Sequence, residues 1–234
     1  MEFQPLTNEF IPWTQWLPRI AETKVALVST GGVYLKHGLH QPFDAAAPHG
    51  DPTFREFPSV VADEDLAFSH GRIDERYARQ DINVIFPLDR LRALAQAGYI
   101  GSVAPFAYSF LGHVTQPLEL LANYAPSVAY RMRRMGAGLA LVVATGEVDH
   151  QSAALIARAI ELAGVPTLVL GTRPEVLEAV KPPRAVVVNH PTGAPLGNPG
   201  NAGKHEHLLR EALEAAWALE GPGLIERLPF DWKG

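Results

Sequence analysis

The sequence predicts an α/β fold, a mainly parallel sheet with helices on both faces in a Rossmann-like three-layer arrangement. Three observations carry this. Continuous β-branched apolar runs recur at Lys24–Thr30 (KVALVST), Leu139–Thr145 (LALVVAT) and Arg184–Asn189 (RAVVVN). They do not alternate polar with apolar, so they suit strands buried on both faces. Helical patterns separate them, and glycines and prolines punctuate the joins. At 234 residues and 47% hydrophobic content, the chain is expected to form one domain over 1–234.

The first strand, Lys24–Thr30, stops at Gly31 and Gly32. Residues 33–83 mix histidine, proline, aspartate and glycine with little periodicity. So long an irregular insertion is expected to be either functional or poorly ordered. Pro87–Gly98 reads as a helix, with proline in the first turn, leucines at 88, 91 and 94, and a terminal glycine. A short strand is expected at Ile100–Ala104, then a helical stretch over Thr115–Gly136 interrupted by Pro126.

After Leu139–Thr145, Asp149 can cap a helix running through Leu162 to Gly164. Thr167–Leu170 then reads as a strand, Glu175–Val180 as a short helix, Arg184–Asn189 as a strand and His205–Leu219 as an amphipathic helix. Pro191–Gly203 is a turn-rich connection.

Composition excludes several chemistries. With no cysteine there is no disulfide, thiolate metal site or cysteine nucleophile. A net charge of -5 and a pI near 6.0 argue against nucleic acid or an anionic membrane as partner. No run approaches the roughly 20 apolar residues of a membrane helix. Met1–Ile20 lacks a basic start followed by an apolar run, so a cytoplasmic location is expected. A homo-oligomer is expected from the prevalence of symmetric assemblies.

Open parallel sheets bind ligands beyond the carboxyl ends of their strands. The loops after Thr30, Thr145 and Asn189 are therefore the expected walls of one crevice. Thr30, Gly31, Gly32, Ser69, Asp74, Thr145, Gly146, Gln151 and Asn189 are the candidate ligand-binding residues. TGGVYLKHG matches neither the dinucleotide fingerprint nor the Walker A spacing, so the glycines turn the chain sharply or admit a close approach.

Of nine histidines, His37, His40 and His49 lie in the irregular segment, where HxxH is a weak metal signal. The HEH at 205–207 reads as a solvated face. His70 in FSHGRID, with Asp74, and His150 in TGEVDHQS are flanked by carboxylates able to orient an imidazole. Glu147, Asp149, His150 and His70 form the candidate catalytic set, with a simple cap as the alternative for Asp149. A carboxylate and two imidazoles converging there would suit a divalent metal such as Zn²⁺. No GxSxG elbow supports a serine triad.

VALVSTGGVYLK, SHGRIDERYARQDINVIFPLDRL, IGSVAPFAYSFLG, HQSAALIARAIELAGVPT and PRAVVVNHPTGAPLGNPG together resemble selenoprotein B of the glycine, sarcosine and betaine reductases. In extent the chain is closer to the corresponding subunit of proline reductase. The resemblance implies a partner subunit bearing a pyruvoyl group, which holds the substrate amine while a selenol attacks. It also implies selenocysteine in the loop after LALVVAT, with a cysteine three residues later, before the HQ pair. Aligned on His150 and Gln151, those positions are Gly146 and Asp149. The expectation is thus a selenium-free relative that binds a small amine or carboxylate, with acid/base or metal-assisted chemistry; the alternative is a non-catalytic subunit or sensor.

Overall fold

The computed structural model describes residues 9–38 and 40–232; the first eight residues, on which the reading of the amino terminus partly rests, lie outside that range. The buried apolar runs become β1 (Lys24–Ser29), β7 (Leu139–Val143), β8 (Thr167–Gly171) and β9 (Arg184–Asn189), each almost wholly buried. With β3 (Phe54–Pro58), β5 (Ser102–Val103), β6 (Phe106–Phe110) and β10 (Leu224–Asp231) they form one sheet, ordered β10-β9-β8-β7-β1-β6-β3 with β5 also beside β1. Every pairing is parallel except that of β3 with β6.

Successive side chains of a strand point to opposite faces, and each face has its own core. Val25, Leu27 and Leu141 pack on one face against α2 (Leu88–Gln96) and α6 (Ala202–Ala218). Ala26, Val28 and Val142 pack on the other against α3 (Ala125–Arg134), α4 (Asp149–Leu162) and α5 (Pro174–Val180). The predicted layering is therefore present, helices on both faces included.

The helix over 118–134 runs through Pro126 instead of breaking. A π turn at Leu120–Tyr124 widens the helix just before the proline, which has no N–H to donate. The expected strand at 100–104 shrinks to the two residues of β5. Residues 33–83 hold more structure than their pattern suggests: β2 (Val33–Leu35) pairs with β4 (Leu66–Phe68), β3 forms the antiparallel edge of the main sheet, and α1 (Glu75–Gln80) follows. These elements are three to six residues long. That is too short for a period to show, and their stability comes from pairing with distant strands.

β1 sits between β6 and β7, and the chain departs from it on opposite sides, so a topological switch point lies at the carboxyl ends of β1 and β7. From β7 to β9 the chain moves outward through α4 and α5 on one face. From β9 to β10 it continues outward through α6 on the other, so this last crossover has the opposite hand to the two before it, a rare arrangement. Its consequence is local. The loop 190–201 doubles back over the switch point, with Gly193 N–H donating to Thr145 O (2.7 Å) and Leu196 N–H to Val84 O (3.3 Å).

At the opposite end of the sheet, Arg184 Nη1 donates to Glu161 Oε1 across 3.0 Å, and both side chains are buried. Glu161 also accepts from Thr167 N–H (2.8 Å) and Thr14 N–H, while Arg184 Nη2 reaches Thr14 O and the guanidinium stacks on Trp13 at 3.9 Å. The segment entering β1 is thereby stitched across the bottom of the sheet.

Candidate functional site

The switch point holds one buried carboxylate and the groups that serve it. Parallel pairing in register from Val25–Leu139 to Ser29–Val143 makes the loops after β1 and β7 leave the sheet side by side. Thr30 and Thr145 are thus neighbours, with Thr30 Oγ1 accepting from Thr145 N–H at 3.1 Å. Asp149, one turn on from Thr145, projects back between them. Its Oδ2 accepts from Thr145 Oγ1 (2.6 Å), Thr30 Oγ1 (3.1 Å) and His70 Nε2 (2.7 Å). Asp149 is no cap: Val148 occupies the cap position and no side chain caps that helix.

His70 arrives from the segment after β4, and Gly32 lets it in. Gly32 has φ +66°, and a Cβ there would lie 2.4 Å from Ser69 O, a contact no side chain tolerates. Ser69 N–H donates to Gly32 O (2.9 Å), fixing the approach. The two glycines therefore serve a close chain crossing, with Gly31 bridged to Leu111 and packed on Ile85. In the neutral ring His70 Nδ1 accepts a long contact from Arg72 N–H at 3.3 Å, which places the proton on Nε2, facing Asp149.

Burial opposes charge on both partners, and in each case the other partner prevails. Burial pulls the His70 imidazole down, but the Asp149 charge and hydrogen bond hold it above its usual range. Burial pushes Asp149 up, but the charge and hydrogen bond of His70, with the Thr145 hydroxyl, hold it below the usual carboxylate range.

Asp149 Oδ1 is buried and has no hydrogen-bond partner. It fills the space a side chain at 146 would take: a Cβ on Gly146 would stand 2.8 Å from it. On the other flank a Cβ on Gly112 would stand 2.4 Å from Asp149 Cγ. Gly112 is pinned by its own contacts, its N–H donating to Thr30 O (3.0 Å) and its carbonyl accepting from Ser152 Oγ (2.6 Å). Sequence reading missed Gly112 and the adjacent His113, which is partly buried and feels the charges of Arg72, Asp149 and His70. FLGH carries no pattern that reveals this; only the pairing of β6 beside β1 brings it here.

The other candidates fall elsewhere, each for a local reason. His150 is buried, but Nδ1 donates to Gly146 O (2.6 Å), and Nε2 accepts from Thr172 N–H (2.8 Å) and Arg173 N–H (3.1 Å). Both nitrogens are spent on backbone, burial depresses its pKa, and it acts as a strut between the β7 and β8 loops. Glu147 is 67% exposed and pairs with Arg173 on the surface. Asp74 caps α1 and holds Arg76, so His70 takes its orientation from Asp149 instead. Ser69 contributes its backbone to the crossing while its hydroxyl reaches Phe43 O (3.3 Å).

Gln151 is buried within α4. Asn189 is exposed at the end of β9, two strands from β7, and bonds Asp231 (2.8 Å). It does not join the crevice. His205 departs from the solvated face expected of 205–207: it is fully buried, bonded to Asn198 O (2.9 Å), because the crossover turns that side of α6 inward. His40 accepts from Leu35 N–H, His49 contacts Thr115 and Gln116, and among the described residues no three His, Cys, Asp or Glu side chains gather to hold a metal. The expected metal set fails because His150 points to the β8 loop.

Comparison with known proteins places the chain in a family. No solved structure matches the chain. The D-proline reductase subunit gamma of Acetoanaerobium sticklandii is 31% identical over 220 residues, covering 94% of this chain and 89% of that protein. The glycine reductase complex component B subunit gamma of Symbiobacterium thermophilum is 27% identical over 94% of this chain, and the sarcosine reductase complex component B subunit beta of Peptoclostridium acidaminophilum 27% over 83%. The chain spans about half of these two longer proteins, 53% and 44%. Residues 2–145 match the family model for glycine/sarcosine/betaine reductase selenoprotein B, a stretch that includes Thr30, His70, Gly112 and Thr145. The chain belongs to the glycine/sarcosine/betaine reductase selenoprotein B family.

Proposed function

We propose that this chain is a selenium-free component of a reductase-type complex, which binds a small amine or amino acid at the β1/β7 switch point and uses the His70–Asp149 pair for proton transfer. The observation that carries the reading is Asp149 Oδ1, a buried acceptor with no donor. An unmet buried acceptor costs about 1–3 kcal/mol, and a ligand N–H or ammonium would satisfy it. The cationic Arg72 and the partly buried His113 flank the same spot and suit a carboxylate.

In this reading Asp149 holds the Nε2 proton of His70, and Nδ1, now bonded only at 3.3 Å to Arg72 N–H, is the nitrogen that takes or returns a proton. Selenol chemistry at this loop has no side chain to carry it: Gly146 stands at one aligned position and Asp149 at the other. The names of the relatives support assembly with further subunits, a pyruvoyl-bearing one among them by family resemblance. A second reading, a non-catalytic subunit, draws on the near-complete burial of His70 and Asp149.

Titration calorimetry with D-proline, glycine, sarcosine and betaine tests the site. At least one is expected to bind, more than about tenfold more weakly to Asp149→Asn, since a charge-assisted hydrogen bond contributes about 1.5–3 kcal/mol. Glu147→Ala should bind as the parent does. Absence of binding by all four, or indifference to Asp149→Asn, refutes the proposal. Exchange of the bound ligand's α-hydrogen in D₂O, abolished by His70→Gln, separates the catalytic from the non-catalytic reading.

A further inference from the structure

His70 and Asp149 are cut off from solvent, their side chains 0% and 1% exposed, so nothing reaches Asp149 Oδ1 while the chain around it stays in place. The elements around the pair differ in how firmly they are held. α4 is buried along almost its whole length. The 190–201 loop is fixed by the Gly193 and Leu196 N–H groups and buries residues 193–197 without a break. Residues 41–50 form turns but no strand or helix, and among them Phe43 alone is buried. Segments with few buried contacts and little backbone pairing are the first to open.

This weakly held segment bridges the two walls of the site. On one side Phe43 O accepts from Ser69 Oγ (3.3 Å) and Ala45 packs beside Gly71, so it touches the residues before and after His70. On the other side Thr115 N–H donates to His49 O (3.1 Å), and Gly50 sits so closely on His113 that a Cβ at 50 would stand 1.7 Å from His113 O. The residue before His113 is Gly112, which lies against the Asp149 carboxylate. Internally the segment is a compact set of turns. Asp44 N–H donates to Asp51 Oδ2 (3.2 Å), Ala46 N–H to Asp44 Oδ1 (3.1 Å) and Gly50 N–H to Ala47 O (3.1 Å). Compact surface loops of this kind move as units about their ends. Just upstream is Gly38, with φ +117° and open space where a side chain would be, a backbone position free to rotate.

We infer that residues 41–50 form a gate over the His70–Asp149 pair, with Phe43 as its latch. The Phe43 ring is buried and stacks against Arg55 at 4.1 Å, whose guanidinium also donates to Gln41 O (2.8 Å). Opening exposes this one phenylalanine, which sets an open fraction of about 1–10%. That fraction admits a small molecule and otherwise keeps water away from the pair. The gate rests on the site proposed above for what enters, but not for the motion itself.

Because the chain has no cysteine, an engineered pair gives a clean lock. His49→Cys with Thr115→Cys places two thiols where the parent side chains touch at 3.3 Å, and their disulfide holds the gate shut until it is reduced. The first readout needs no ligand. It is exchange of the His70 Nε2 proton with water, followed by NMR of the full chain and assigned by its loss in His70→Gln. Phe43→Ala and Gly50→Ala should speed this exchange by about tenfold or more, the oxidised double variant should slow it, and reduction should restore the parent rate. A rate that the lock leaves unchanged overturns the gate, as does a folded Phe43→Ala that keeps the parent rate. Should Phe43→Ala fail to fold, the reversible lock decides alone.

D-proline, glycine, sarcosine and betaine supply the second readout, and whichever binds should associate with the reduced double variant and not with the oxidised one. Equal binding to both forms overturns the gate and leaves the ligand site standing. Gated proton exchange with no binding by any of the four upholds the gate and removes the ligand reading.

Discussion

Replacing Asp149 with asparagine removes the charge at the centre of the candidate site while keeping its shape. The parent carboxylate receives three donors on Oδ2, and one of them, His70, is itself buried and biased toward its charged form. Breaking a buried pair by removing one partner costs about 3–5 kcal/mol; asparagine retains one acceptor for Thr145 and Thr30, so the lower end, about 3 kcal/mol, is expected at pH 6. For a chain of this size that corresponds to a fall of roughly 6–12 °C in Tm.

The pH dependence is more diagnostic than the size. Asp149 has a depressed folded pKa, so its contribution is present above its unfolded value and is lost as pH falls through the folded one. His70 has a raised folded pKa, so its contribution is complete below its unfolded value near 6.5 and is lost as pH rises through the folded one. The stability gap between parent and Asp149→Asn, measured by urea unfolding from pH 5 to 9, should therefore be widest near pH 5–6 and narrow as pH rises. An NMR titration should show His70 dropping below its ordinary value in the variant, because burial then acts unopposed. A gap that stays constant or widens with pH would refute the assignment of His70 and Asp149 as a charged pair.

Three further outcomes follow from buried polar groups outside that pair. His150→Ala should destabilise the fold by about 2–4 kcal/mol in urea unfolding, since Gly146 O and the Thr172 and Arg173 N–H groups lose their partner; ligand affinity at Asp149 should change far less than in Asp149→Asn. His150 has a depressed folded pKa, so its cost appears on acidification below about 6.5, and the parent should be more stable at pH 7 than at pH 5 by an amount that His150→Gln reduces. Arg184→Met should cost about 3–5 kcal/mol by leaving the Glu161 charge buried, and the double variant with Glu161→Leu should recover most of it, as measured by thermal unfolding.

The sequence by itself determined the layers. KVALVST, LALVVAT and RAVVVN are continuous, largely apolar runs of the kind that parallel sheets bury on both faces, so the strands and the layers of helix over them were legible without coordinates. It also pointed to the loops after Thr30 and Thr145, because ligand crevices lie at the carboxyl ends of parallel strands. Tertiary structure alone decided which side chains meet there. His70 and Asp149 are 79 residues apart, and Thr30 and Asp149 are 119 apart; their contact depends on a glycine at 32 admitting one backbone crossing and on glycines at 112 and 146 leaving room for a carboxylate. Side chains adjacent in sequence diverged for the same reason: successive residues on a helix point about 100° apart, so Asp149 turned into the crevice while His150 turned to the β8 loop. A pattern of residue types records which groups are present, whereas hydrogen bonding over long sequence separations decides which of them are left free to react.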